Sequence, residues 1–285
     1  MIITSVENPV VKLAVKLSSS KKERIQNGLF VIEGLRLCLD AVESGVKCRY
    51  VFITADAASK YYNSLKPVLA AGTTVYEVSE SVFSKMSDTK SPQGVLCVCE
   101  LLDKRMSLDT IDKSGFYVAL ERIQDPGNLG TIIRTAEAIG ISGILISGDC
   151  CDIYSPKVIR ATMGGVFRMP VYEADDIVCA CARLNKMQLD TFAAVPDADA
   201  VGVTEAGFHT GSVVFVGNEG SGLSPELCAV CKTRITIRMA GRAESLNAAM
   251  AAGIIMWEMS RQRAVHSRLT ASQQGARSAG KGERR

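Results

Sequence analysis

No apolar run in this 285-residue chain approaches the length that a membrane span requires. The N-terminus, MIITSVENPVVKLA, lacks the basic-then-apolar layout of a secretory leader. Both absences point to a cytoplasmic protein with no membrane partner. Histidine is nearly missing as well: the two present, His209 and His266, stand isolated, which removes the common zinc constellations. No single sign of charge dominates, and a formal net charge of +3 is too small to argue for nucleic acid by itself. There is no internal repeat, and the glycine-bearing turn DPGNLG fits neither GxGxxG nor GxxxxGK[ST], which weakens a dinucleotide or ATP reading.

What is present is ordinary for a globular protein, with 47% hydrophobic and 22% charged residues, and the length suits two domains. Ten cysteines accompany no export signal, so disulfides are not expected. Cys97, Cys99, Cys179 and Cys181 read as small buried hydrophobes in strands or helices. The lone CxxC, Cys228 and Cys231, lacks the second pair that a structural zinc would need, and no metal is expected.

Strand-like and helix-like segments alternate along the chain. Asn8 and Pro9 start a helix whose apolar stripe reads as Val6, Val10, Leu13 and Leu17, with Lys12 and Lys16 opposite. LFVIEG, RYVFIT, TTVYEV and GVLCVCEL follow as strands, separated by helical segments. These imply a small N-terminal α/β domain over 1–103. A polar linker over 104–115 precedes a second domain over 116–266, where strands separated by helices imply a mainly parallel sheet covered on both faces. Residues 267–285 read as a basic tail too poor in apolar residues to fold alone. Basic residues also gather near the start, where Lys12, Lys16, Lys21, Lys22 and Arg24 face only Glu23. They are either an RNA-binding face or a solvated one.

Three loops of the second half carry polar groups that chemistry could use. In QDPGNLGTIIRTAEAIG, Asn128 is a plausible helix cap, and Arg134 sits in an otherwise apolar turn. Its charge must reach the surface or turn into a cleft. VGNEGSGLSPE follows an apolar strand, places Glu219 between glycines, and hands over to a helix at Ser224 and Pro225. IRMAGRAESLNAAMAAG leads from a strand through Ser245 and Asn247 into a helix apolar on nearly every face, which is expected to be buried. Two such loops on adjacent strands describe a binding cleft at the end of a sheet.

In this order the three loops resemble the signature motifs of the SpoU (TrmH-like) branch of the SPOUT RNA methyltransferases. The match runs from about Phe116 to Gln262, and the N-terminal segment resembles the RNA-binding domain attached to many members. That resemblance implies a C-terminal parallel-sheet domain with a deep trefoil knot, an S-adenosylmethionine site formed by the knot, and a homodimer. It implies cofactor contacts at Gly217, Ile237 and Leu246, and a catalytic and substrate cluster of Asn128, Arg134, Glu219, Ser245 and Asn247. The reaction implied is methyl transfer to a ribose 2′-hydroxyl. Ribosomal RNA is favoured over tRNA, and a non-catalytic RNA-binding or assembly protein on the same fold is the reading from another class. Small departures exist: Arg238 stands where the third motif often has proline, Ala248 and Ala249 replace commoner residues, and so do Thr162 and Gly165. None of these positions is one of the implied catalytic groups.

Overall fold

The structure, a computed structural model, describes residues 2–70, 72–102 and 107–282, by backbone alone at 70 and 266–282. In chain order the elements begin with α1 (Pro9–Ser19), α2 (Lys21–Asn27), β1 (Leu29–Glu33), α3 (Leu35–Glu43), β2 (Cys48–Ile53), α4 (Ala55–Ala70), β3 (Thr74–Glu77), α5 (Glu80–Met86) and β4 (Val95–Glu100). After a 3₁₀ turn at Leu108–Thr110 come β5 (Phe116–Leu120), α6 (Pro126–Ile139), β6 (Gly143–Ser147), α7 (Pro156–Thr162), α8 (Gly165–Arg168) and β7 (Val171–Ala174). The chain continues through α9 (Ile177–Lys186), β8 (Asp190–Ala194), β9 (Val201–Gly202), β10 (Ser212–Val216), α10 (Pro225–Val230), β11 (Thr233–Thr236) and α11 (Ala248–Gly282). Residues 104–106 of the expected linker, and residue 103 before it, lie outside the described residues. No helix among the described residues is long and apolar enough to cross a membrane.

The compact units do not follow chain order. One comprises Met1–Lys104, Asp125–Arg134 and Cys151–Met169; the other comprises Arg105–Gln124, Thr135–Cys150 and Pro170–Arg285. Two segments expected in the second domain therefore fold with the first. For Cys151–Met169 side chains explain why: Tyr154 packs its ring 5.0 Å from Phe30 and donates its hydroxyl to Leu102 O. Arg160 pairs with Asp88, and Arg168 with Asp40.

The first unit is built on a four-stranded sheet, order β1-β4-β2-β3, with β4 antiparallel to both neighbours. Its cap residues are legible in sequence: Asn8 accepts from Val10 N–H at the start of α1, with Pro9 in the first turn. The buried face of α1 is Val11, Ala14 and Leu17, however, and Val6 is exposed. Of the expected stripe, Leu17 belongs to this face and Val10 and Leu13 are half-buried against the same core, while Val6 precedes the helix and has no place in its 3.6-residue period. Gly130 in this unit is explained by packing, since a Cβ there would come within 2.3 Å of Ala161 Cβ and 3.0 Å of Val158 O on α7.

The second unit holds a seven-stranded sheet of order β7-β6-β5-β10-β8-β11-β9, parallel at every pairing. β5, β6 and β10 are buried along their whole length, as a sheet covered on both faces requires. Cys97, Cys99 and Cys181 are buried as small hydrophobes, whereas Cys179 is exposed on α9. Two further expectations are corrected by α11. Its Met250, Ile254 and Trp257 are exposed, 64% for Trp257, so one apolar face is uncovered rather than buried. The tail expected from 267 is, in its backbone, a continuation of this helix as far as Gly282. Extending a formed helix needs no new nucleus, so a run that carries three glycines and three serines beside its three alanines can still continue it.

Candidate active site and cofactor cavity

A cavity of ~330 Å³ opens at the C-terminal ends of β8, β10 and β11. That is where parallel sheets bind ligands, and the volume lies in the range of small-ligand sites. Its lining joins the ends of these strands (Val195, Gly217, Ile237) to the loop Asn218–Gly222, to Ser245 and Leu246, and to Ile255 of α11.

Of the residues expected to contact cofactor, Gly217, Ile237 and Leu246 all line this cavity. Glu219 and Ser245 line it too, both with exposed side chains. Asn247 is not among the lining residues; its Oδ1 accepts the backbone N–H groups of Ala249 and Met250 and caps α11. Asn128 and Arg134 are likewise not lining residues and belong to α6, in the first unit. Arg134 is exposed, on a helix whose Ile132, Ile133 and Ala136 are fully buried. Asn128 does not cap that helix. The helix begins two residues earlier, at Pro126, and Asp125 takes the capping role by accepting from Asn128 N–H at 2.7 Å. Asn128 therefore stands in the first helical turn and leaves its side chain to other partners.

The polar loop is folded on itself. Asn218 Oδ1 accepts from Gly220 N–H at 2.8 Å and Ser221 N–H at 3.3 Å, and Gly222 N–H donates to Asn218 O. This closed turn explains Gly217: a Cβ there would lie 2.2 Å from Gly222 C and 2.3 Å from Leu223 N. The glycine is required by the returning backbone of its own loop before any ligand enters.

Sequence reasoning missed Ala194, Val195 and Pro196, which form one wall. The signal was available, since TFAAV is an apolar run that stops at Pro196 and Asp197, as a strand end does. It also missed the partners of the loop just beyond β5, Glu121 and Arg122, which carry no motif signal of their own.

The cavity suits S-adenosylmethionine in its chemistry. Apolar walls at Val195, Ile237, Leu246 and Ile255 match a flat heterocycle, and the polar Asn218–Ser221 and Ser245 rim matches a ribose and a charged amino-acid end. No group of metal-ligating residues exists among the described residues.

The basic N-terminal residues divide. Lys12, Lys16, Lys21 and Lys22 are exposed. Lys12 pairs with Glu7 at the surface, and Lys16 lies 3.9 Å from Glu23. Arg24 is different: it is 4% exposed, pairs with Asp152 at 2.7 Å and donates to Leu17 O. An arginine so enclosed cannot present itself to RNA, and the expectation for Arg24 is withdrawn.

Comparison with known proteins places this geometry among relatives. Residues 115–257 match the SpoU rRNA Methylase family, and residues 8–97 match the MRM3-like substrate binding domain. An uncharacterised tRNA/rRNA methyltransferase of Synechocystis is 34% identical over 91% of this chain and 93% of its own length. The 23S rRNA (guanosine(2553)-2′-O)-methyltransferase of Bacillus subtilis is 28% identical over 90% of this chain and 98% of its own. An AdoMet-bound rRNA methyltransferase from Sinorhizobium meliloti superposes with a TM-score of 0.79 at 35% identity, covering 92% of this chain and 97% of that one.

Proposed function

This chain belongs to the SpoU rRNA methylase family, and on that premise we propose that it methylates a ribose 2′-hydroxyl of structured ribosomal RNA. It is a methyltransferase, and S-adenosylmethionine is its methyl donor. The observation that carries the reading is the cavity itself, which gathers Gly217, Ile237 and Leu246 from two separate loops at the ends of adjacent strands. Ribosomal RNA is preferred over tRNA because relatives of matching length are 23S rRNA 2′-O-methyltransferases, in Bacillus subtilis and Streptomyces viridochromogenes. Only RNA carries the 2′-hydroxyl.

Bound in the cavity, S-adenosylmethionine supplies an electrophilic methyl group. The protein must then make a weak nucleophile competent and hold it in line. Arg134 is assigned the first task. A guanidinium does not readily give up its proton, so its role is to stabilise the oxyanion developing on the ribose and to grip the neighbouring phosphate. The proton passes to a phosphate oxygen or water. Asn128, Ser245 and Asn247 are assigned to hold the nucleotide, a positioning contribution, and Glu219 to orient amide and guanidinium partners. Lys12, Lys16, Lys21 and Lys22 supply phosphate contacts.

Two further features complete the reading. The C-terminal loops and α11 form a deep trefoil knot, a rare exception to unknotted topology. The enzyme is a cytoplasmic homodimer, supported by the uncovered Met250, Ile254 and Trp257 on one face of α11, since a contiguous exposed apolar stripe marks an interaction surface. Trp257→Glu should convert dimer to monomer in sedimentation; a wild-type mass in that variant would remove the helix from the interface. The function is tested by methyl transfer from labelled donor to total RNA, followed by mapping of the 2′-O-methyl groups lost on deletion. Label on tRNA favours the tRNA reading, and donor binding without transfer to any RNA favours the non-catalytic one.

A further inference from the structure

The loop that lines the cavity, Gly217 to Leu223, leaves the sheet at Val216 and returns at Ser224, the first residue before α10. A loop of this length rich in glycine has many conformations, and a cavity wall made from it needs an anchor. Both ends are anchored on one residue at the C-terminal end of β5. Glu121 donates its backbone N–H to Val216 O at 3.0 Å, which fixes the departure. Its side chain fixes the return: one carboxylate oxygen accepts Ser224 N–H and the other accepts Ser224 Oγ–H, both at 2.7 Å. Ser224 Oγ in turn accepts from Leu227 N–H and caps α10.

The next residue continues the template. Arg122 takes a left-handed backbone, φ 57°, uncommon for a residue with a side chain. Its carbonyl accepts from Asn218 Nδ2 at 2.9 Å, and its N–H donates to Ser147 Oγ at 3.0 Å. Asn218 is the residue whose Oδ1 curls the loop. The strained dipeptide and the loop are thus one hydrogen-bonded body.

Glu121 is only 5% exposed. A carboxylate is costly to enclose unless both oxygens are satisfied, and here each oxygen accepts from Ser224, with the Arg122 guanidinium 3.6 Å from one of them. We infer that Glu121 is a positioning residue for methyl-donor binding, holding the Gly217–Ser224 loop in its ligand-ready form through Ser224. None of the three signature loops includes it, because it lies at the end of the strand before the first of them. Carboxylate-to-donor bonds of this kind are short and strong, and they cost nothing to reorganise when the ligand arrives.

The inference rests on the cavity being the donor site, and the experiment separates the two. Donor Kd is measured by calorimetry on purified full-length Glu121→Met, Glu121→Gln and Ser224→Ala. The methionine variant keeps length and loses both acceptors, so Kd should rise roughly 10- to 100-fold, the usual worth of bonds to a charged group. Glutamine can still take Ser224 N–H on its oxygen while its amide donates to Ser224 Oγ, so it should recover part of that loss. Ser224→Ala should fall between. In steady state, KM for the donor should rise while kcat at saturating donor stays near wild type, a split that general loss of stability does not produce. A folded Glu121→Met or Ser224→Ala protein with donor Kd within twofold of wild type overturns the inference. If Glu121→Met does not fold, the other two variants decide it by the same measurement. Gly217→Ala serves as reference: if it loses the donor while the Glu121 and Ser224 variants keep it, the cavity stands and the positioning role falls. If Gly217→Ala also binds normally, the cavity assignment falls first.

Discussion

Replacing Gly217 by alanine adds one methyl group, and its consequence can be worked from the loop geometry. The added Cβ would sit 2.2 Å from Gly222 C, 2.3 Å from Leu223 N and 2.4 Å from Gly222 O. Carbon atoms that touch prefer ~3.5 Å or more, so one side of the loop must move by roughly 1 Å. The obstacle is backbone, which cannot swing aside as a flexible side chain would. Gly217 is not among the positive-φ residues, so backbone strain at the residue itself does not enter and the cost is steric. The effect should therefore be nearly complete with alanine and little worse with valine. A displacement near 1 Å in a positioning element costs on the order of 10²-fold, and we expect the donor Kd of Gly217→Ala to rise by about that factor. Calorimetry on a protein shown folded by its near-ultraviolet spectrum reads this directly. Gly148→Ala, whose Cβ would meet only Ala174 O at 4.0 Å, controls for the loss of a glycine. A folded Gly217→Ala protein with wild-type affinity would refute the reasoning, because the loop would then be movable at no cost or unconnected with the donor.

Arg134→Ala should leave donor affinity intact while single-turnover methyl transfer falls roughly 10²–10³-fold, and Arg134→Lys should recover little because a point charge cannot replace two fixed N–H donors. Near-normal turnover would return Arg134 to the status of a surface residue on α6. Neutralising Lys12, Lys16, Lys21 and Lys22 should weaken RNA binding and lower the slope of log K against log salt by roughly 0.7 to 0.9 for each phosphate no longer engaged; an unchanged slope identifies a merely solvated face. Asp152→Ala leaves the buried Arg24 without its carboxylate and should destabilise the fold by about 3 kcal/mol, measured by denaturant titration. A change under ~1 kcal/mol would mean that water reaches the guanidinium.

Much was legible in the chain itself. Helix starts at Asn8, Ser224 and Asn247 declare themselves because a capping side chain and, at the first two, a following proline act within a few residues. The parallel sheet follows from apolar runs separated by helical spacers, and the loops that line the cavity from glycines in polar stretches after such runs. All of these are local, and local signals survive in one dimension.

What the tertiary structure decided is non-local. Arg24 looked like its lysine neighbours until Asp152, distant in sequence, closed over it. Gly217 reads in sequence as room for a ligand, yet its space is filled by the backbone of Gly222 and Leu223. The last helix looked buried from composition, but only packing partners determine which faces are covered, and the described residues leave Met250, Ile254 and Trp257 exposed. Glu121 carries no motif because its importance comes from the parallel pairing of β5 with β10, which sets its backbone against Val216 and its carboxylate against Ser224. Pairing between strands nearly a hundred residues apart is set by the folded sheet, and no sequence window spans it.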